Sequence, residues 1–125
     1  MTEGILNNLI SVVDDDASMC KMLTRMIRSV GLNVAAFTSA EEFLSSGCLA
    51  GSACLILDVD LPGMSGIDLQ QQLNASSQHI PIIFISGQSD EQTRKRALKA
   101  GAAGFFKKPF SIDSLLDTIH PFVSA

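Results

Sequence analysis

Short runs made almost wholly of apolar residues recur along this chain, and four of them end on polar residues. Residues 10–13 run into Asp14-Asp15-Asp16, residues 53–57 into Asp58, and residues 82–85 into Ser86, while Phe105-Phe106 is followed closely by Lys108-Pro109. Runs this short suit strands better than helices, and the lack of regular apolar–polar alternation marks strands covered on both faces, as in a parallel sheet. In an open parallel sheet the carboxyl ends of the strands share one edge, so residues distant in sequence converge in the crevice where ligands bind. The three acids, the single acid, the hydroxyl and the amine are therefore expected at one edge of one sheet.

The segments between the runs carry helical signals. After Asp16, residues Met19, Met22, Leu23, Met26, Ile27 and Val30 fall at helical spacing, and Gly31 is placed to end that helix as a left-handed cap. Residues 33–37 read as a second strand. Ser39 and Glu42 have the form of a capping box opening a second helix that ends near Gly47. Leu61-Pro62-Gly63 breaks the chain after the strand at 53–57, and a third helix is expected over about 65–73. A strand at 80–85 precedes a polar fourth helix opened by Asp90 and closed by Gly101. A short fifth strand at 103–106 is followed by a helix after Ser111, with Ile112, Leu115, Leu116, Ile119, Phe122 and Val123 as its apolar stripe. The pattern predicts an α/β fold: a doubly wound, five-stranded parallel sheet with five helices, of the flavodoxin-like (βα)5 kind.

A chain of 125 residues fits one domain, taken as 1–125, and can bury a core without disulfides or a structural metal. No apolar run approaches the roughly 18 residues a membrane span requires. Residues 1–8 carry Glu3 and no basic region, which speaks against a secretory signal and for a cytoplasmic location. Cys20, Cys48 and Cys54 are odd in number and lack a C-x-x-C spacing, so they read as reduced, mostly buried thiols. A net charge of −4 leaves no broad basic surface for phosphate neutralisation, which excludes direct nucleic-acid binding by this segment. His79 and His120 stand alone and read as surface residues.

At the polar strand ends the chain closely resembles the receiver domain of two-component response regulators. The resemblance rests on VVDDD, LDVDLPGMSG around Asp58, FISG and KKPF, in this order and on alternating units along essentially the whole chain. It implies phosphorelay signalling in which Asp58 accepts a phosphoryl group from a phosphohistidine donor. A carboxylate can attack phosphorus when a metal and fixed cations neutralise the oxygens. The resemblance implies Mg²⁺ as cofactor, with Asp15, Asp58 and the backbone carbonyl of Asp60 coordinating it and Asp14 holding one of its waters. Asp16 is left over and reads as the cap of the first helix.

The same resemblance assigns Ser86, Gly87, Val59 and Lys108 to the phosphoryl group. Lys108 is preferred to Lys107 because it directly precedes Pro109, and that bond is expected to be cis. Serine stands where threonine is commoner, keeping the donor while losing β-branched stiffness. Phe105 takes the place of a switch aromatic that moves with Ser86, and a plain core ring is its other reading. Phosphorylation would shift an existing equilibrium and reshape a face built from helix four, strand five and helix five, with Arg94-Lys95-Arg96 on it. Expected partners are a histidine kinase or phosphotransfer protein, an output domain outside this chain of the helix-turn-helix DNA-binding kind, and a second copy upon phosphorylation. The domain would catalyse only its own phosphorylation and dephosphorylation, and Asp60 and Gln88 would border the path of the hydrolytic water.

Two other classes compete. LDVDLPG resembles the D-x-D motif of haloacid dehalogenase phosphohydrolases, with Asp58 as nucleophile and Asp60 as general acid. Against it, the acidic pair precedes the D-x-D strand, no Gly-Thr follows, and the chain has no room for a cap. An interaction module of the same fold without phosphorylation would have no reason to carry all the acids, the hydroxyl and the lysine.

Overall fold

Each strand sends alternate side chains into two separate apolar layers, which explains why the strands are apolar almost throughout. The computed structural model describes residues 8–88 and 90–123, and the reading of the first residues as lacking a secretory signal falls on residues 1–7, outside them. The strands are β1 (Leu9–Val13), β2 (Asn33–Phe37), β3 (Cys54–Asp58), β4 (Ile82–Ser86) and β5 (Gly104–Lys107). They form one parallel sheet in the order β2-β1-β3-β4-β5. Between them run α1 (Ala17–Arg28), α2 (Ala40–Ser46), α3 (Gly66–Ala75), α4 (Glu91–Lys99) and, last, α5 (Ile112–Ile119).

On one face Ile10, Val12, Cys54, Ile56, Ile83 and Ile85 pack against Leu23 and Ile27 of α1 and Leu115 and Ile119 of α5. On the other, Val13, Leu55, Leu57, Ile82 and Phe84 meet Phe43 of α2, Leu69 and Leu73 of α3, and Ala97 of α4. The expected doubly wound α/β sheet is thus observed. Because β1 leads outward to β2 and β3 leads the other way, the topological switch point lies between the carboxyl ends of β1 and β3.

Most predicted caps are in place. Asp16 accepts from the N–H groups of Ser18 and Met19, Asp90 from Thr93, and Ser111 from Ser114, satisfying donors that helix ends leave over. Gly31, Gly47 and Gly101 have φ of 90°, 78° and 107°, beyond the ends of α1, α2 and α4. The predicted box at α2 is half formed. Ser39 Oγ accepts the Glu42 N–H at 3.0 Å, but the Glu42 carboxylate reaches one residue further and takes the Thr38 N–H at 2.8 Å.

Several boundaries differ from the sequence expectation: β3 is shifted forward by one residue to Cys54–Asp58, with Asp58 inside the strand, α3 runs two residues further to Ala75, and three others follow from proline or register. β4 begins at Ile82 rather than 80, because Pro81 has no N–H and contributes only its carbonyl, to Leu55 N at 2.9 Å. β5 is shifted forward to Gly104–Lys107, since Lys107 is the partner of Ser86 in the β4–β5 register. The apolar stripe of the last helix runs past its end. α5 stops at Ile119 and continues as a 3₁₀ turn over His120–Phe122, because Pro121 cannot donate the next helical hydrogen bond.

Candidate functional site

The switch point is lined by carboxylates held in fixed orientations. Asp14 follows β1 directly, is completely buried, and anchors its own N–H on the Phe37 carbonyl at 3.0 Å. Its Oδ1 accepts the Asp16 N–H at 2.8 Å and its Oδ2 takes Lys108 Nζ at 3.1 Å. Asp58 closes β3, is 3 % exposed, and accepts the Asp60 N–H on Oδ1 at 3.0 Å. Lys108 Nζ lies 3.5 Å from the other Asp58 oxygen, so one ammonium bridges two buried acids. That lysine is positioned by its N–H, which donates to the Ser86 carbonyl at 2.7 Å, and its bond to Pro109 is cis, as the resemblance implied.

Asp15 is exposed at the mouth, and carboxylate oxygens of Asp14, Asp15 and Asp58 all lie within 4.8 Å of one another. Three carboxylates against one ammonium leave an excess of negative charge at a set of hard oxygen donors. That chemistry fits Mg²⁺, which prefers oxygen ligands and retains several waters beside one or two carboxylates. Asp60 is also exposed, and its carboxylate accepts a hydrogen bond from Ser86 Oγ at 3.1 Å. Ser86 itself is completely buried, and its Oγ accepts the Gln88 N–H at 3.3 Å. Gly87 is exposed just beyond β4. Val59 is buried and its N–H donates to the Ile85 carbonyl at 3.0 Å, so it reaches a phosphoryl oxygen only by sharing that sheet bond.

The site tunes its own protonation. Burial, the largest cause, pushes the Asp58 carboxyl up to about 6; the Asp60 N–H and Lys108 oppose the rise, while the charges of Asp14 and Asp60 add to it. For Lys108 burial acts to lower the pKa, but the hydrogen bond and charge of Asp14 and the charge of Asp58 outweigh it and raise the value overall. The ammonium is therefore a permanent charge at neutral pH. The three cysteines are free, and burial pushes the Cys54 thiol up to about 12, which removes it as a nucleophile.

A family profile described as the response regulator receiver domain matches residues 10–120. The chain belongs to the response regulator receiver domain family. Nodulation protein W of Bradyrhizobium diazoefficiens is 48% identical over 118 residues, covering 94% of this chain and 52% of that protein. The response regulator protein TodT of Pseudomonas putida is 46% identical over 113 residues, covering 90% and 50%. This receiver thus spans about half the length of the curated relatives it matches. Among solved structures, the response regulator StyR superposes with a TM-score of 0.85 at 44% identity over 92% of this chain and 58% of that one. FixJ-N does so with a TM-score of 0.81 at 31% identity over 93% of each. A receiver domain works in two-component phosphorelay signalling, so the dehalogenase alternative is set aside.

Other residues of this receiver complete the picture. Phe105 is half-buried against Phe84, with ring centroids 6.0 Å apart, and faces the α4 side of the sheet. It lines a shallow depression with Asp90, Glu91, Arg94 and Lys107. Arg94, Lys95 and Arg96 are all exposed, Arg94 pairing with Glu91 at 3.2 Å. Two positions escaped sequence reasoning. Gly66 opens α3 directly against the backbone of Asp58 and Val59, and a Cβ there would run into the Asp58 carbonyl oxygen. Glu41 of α2 reaches across to take the Met64 N–H at 3.1 Å, bracing the loop after β3. The second glycine of LPGMSG was a signal for the first; nothing local marks the second.

Among the described residues no helix is long and apolar enough to cross a membrane.

Proposed function

We propose that Asp58 is the phosphoacceptor of this receiver and that Asp14, Asp15 and Asp58 hold Mg²⁺, with the Asp60 carbonyl as a further ligand. The observation that carries the proposal is the buried Asp58 carboxylate, set between Asp14 and Lys108 at a cluster of hard oxygen donors. An Asp58 oxygen attacks the phosphorus of a phosphohistidine, the P–O bond forms as the P–N bond breaks, and the imidazole leaves with a proton. Mg²⁺, when bound, supplies neutralisation of the phosphoryl oxygens as charge builds on them. Lys108 already stands 3.5 Å from Asp58 and 3.1 Å from Asp14, so a small movement of its ammonium pairs it with a phosphoryl oxygen. Ser86 and the Gly87 N–H are the neutral donors, with Val59 beside them. Hydrolysis reverses the bond: water attacks phosphorus and the Asp58 carboxylate leaves. The domain thus catalyses only its own phosphorylation and dephosphorylation.

The 1–125 segment acts as one receiver in the cytoplasm, served by a histidine kinase or phosphotransfer protein. Its output runs through α4, β5 and α5, with Ser86 and Phe105 as the moving pair. That face is offered to an output domain outside this segment, or to a second copy.

Intact mass after incubation with Mg²⁺ and acetyl phosphate tests the proposal. A single phosphoryl adduct that requires Mg²⁺ and is lost in Asp58→Asn is expected. Absence of any adduct in folded wild type would favour the interaction module of the same fold, or a receiver served only by its own kinase.

A further inference from the structure

The Ser86 hydroxyl has one proton to donate, and the Asp60 carboxylate stands within hydrogen-bond distance of it. Ser86 Oγ donates to Asp60 Oδ2 at 3.1 Å while accepting the Gln88 N–H at 3.3 Å, so the bond orients a completely buried hydroxyl toward the mouth of the site. A hydroxyl can rotate its single donor to one acceptor or another, but not to both. Hydrogen bonds to an ionised acceptor are stronger than those to a neutral one. A group that must turn to a phosphoryl oxygen on Asp58 is therefore held beforehand by a competing anion two residues away.

We propose that the Asp60 carboxylate is a positioning residue that competes with the phosphoryl group for the Ser86 proton, and so sets how far phosphorylation shifts this receiver toward its active form. The proposal rests on the assignment of Asp58 as phosphoacceptor and of Ser86 as phosphoryl donor. In the unphosphorylated protein the Asp60–Ser86 bond stabilises the starting arrangement. Phosphorylation must break it before the new bond forms, and the differential affinity of Ser86 for the two acceptors enters directly into the population shift. The role belongs to the side chain of Asp60 and is separate from any contribution of its backbone carbonyl to the cation.

Removing Asp60 also removes a negative charge near an incoming anion, and that effect does not pass through Ser86. A double-mutant cycle separates the two contributions. The chain has no Trp or Tyr, so calorimetry is the suitable readout: beryllofluoride binding at saturating Mg²⁺ in wild type, Asp60→Ala, Ser86→Ala and the double variant. The expected result is that Asp60→Ala tightens binding about fivefold more when Ser86 is present than when it is absent, the size of one net hydrogen bond. Asp60→Asn keeps an acceptor oxygen without the charge and is expected to give a smaller gain than Asp60→Ala. Equal factors in the two backgrounds, an Asn variant that matches or exceeds the Ala variant, or weaker binding by Asp60→Ala would each overturn the competition. Wild type that binds no beryllofluoride with Mg²⁺ would instead overturn the phosphoacceptor assignment itself, and the competition with it. Asp60 is exposed, and circular dichroism of each variant establishes that it is folded.

Discussion

Asp58 has three acids, Asp14, Asp15 and Asp60, and one ammonium for neighbours, and its burial outweighs what Lys108 and the Asp60 N–H return to it. Its pKa rises from 3.8 to about 6, so between those values the folded protein holds a proton that the unfolded chain has released. Stability rises with pH only where the unfolded state binds more protons; here the folded state does, and the metal-free protein loses stability as pH climbs from about 4 to 6. Asp58→Asn removes that loss. The variant is expected to exceed metal-free wild type by roughly 3 kcal/mol at pH 7, the gap closing toward pH 4. Urea midpoints across that range check it, and a gap independent of pH would mean that Asp58 does not carry the titration. Asp14, Asp15 and Asp58 were legible in the sequence because parallel strand ends share one edge, and Lys108 because the resemblance picks the lysine directly before Pro109. The pairing of Ser86 with Asp60 was not, since a choice between nearby acceptors turns on tenths of an ångström that no spacing encodes. Nor was the Val59 N–H, which the β3–β4 ladder already uses.

At the level of elements, the site depends on how closely α3 approaches the end of β3. The Gly66 N–H donates to the Val59 carbonyl at 3.1 Å, and a Cβ at Gly66 would stand 3.1 Å from the Val59 Cα besides colliding with the Asp58 carbonyl oxygen. Alanine would favour the helix by up to about 1 kcal/mol over glycine. Overpacking against a rigid neighbour costs about 1–3 kcal/mol, and here the neighbour is sheet backbone that cannot yield as a side chain would. The clash therefore wins. Gly66→Ala is expected to lower stability by about 1 kcal/mol and to slow labelling by acetyl phosphate, because α3 must withdraw and carry the loop braced by Glu41 with it. Thermal melts and the rate of adduct formation check both halves; unchanged labelling would show that the close approach does not position the acceptor. The far end of α3 is tied as well, since the buried Gln70 donates to the Ala97 carbonyl at 3.0 Å and Asn74 to that of Ala100 at 3.1 Å. Caps at Asp16, Asp90 and Ser111 were legible because capping is local. Gln70 and Glu41 were not, because each acts on an element distant in sequence. The apolar spacing outlasts the last helix because Phe122 and Val123 keep the helical period even though Pro121 breaks the backbone pattern.

For the molecule as a whole, the doubly wound sheet was legible because both its layers are written into the strands, and the edge where the polar residues gather follows from parallel topology alone. That gathering leaves an energetic cost that a cation can relieve. Two effects could make Mg²⁺ stabilising: occupation of the Asp14–Asp15–Asp58 cluster, or general screening of a chain with net charge −4. Screening depends on ionic strength and is matched by NaCl, whereas occupation saturates and adds about 2.7 kcal/mol at 100 times Kd, roughly 10 °C in Tm for a domain of this size. Occupation also requires an ionised Asp58, so protons compete with the metal as pH falls through about 6. The expected outcome is a saturable rise in Tm at pH 8 that NaCl of equal ionic strength does not reproduce, that shrinks at pH 5, and that is much reduced in Asp15→Asn. Asp15 is the discriminating position, because it is exposed and its loss leaves the buried Asp14–Lys108 pair intact. A rise of the same size in Asp15→Asn and wild type, or one that NaCl matches, would assign the stabilisation to the overall charge and leave the acid cluster without a cation to hold.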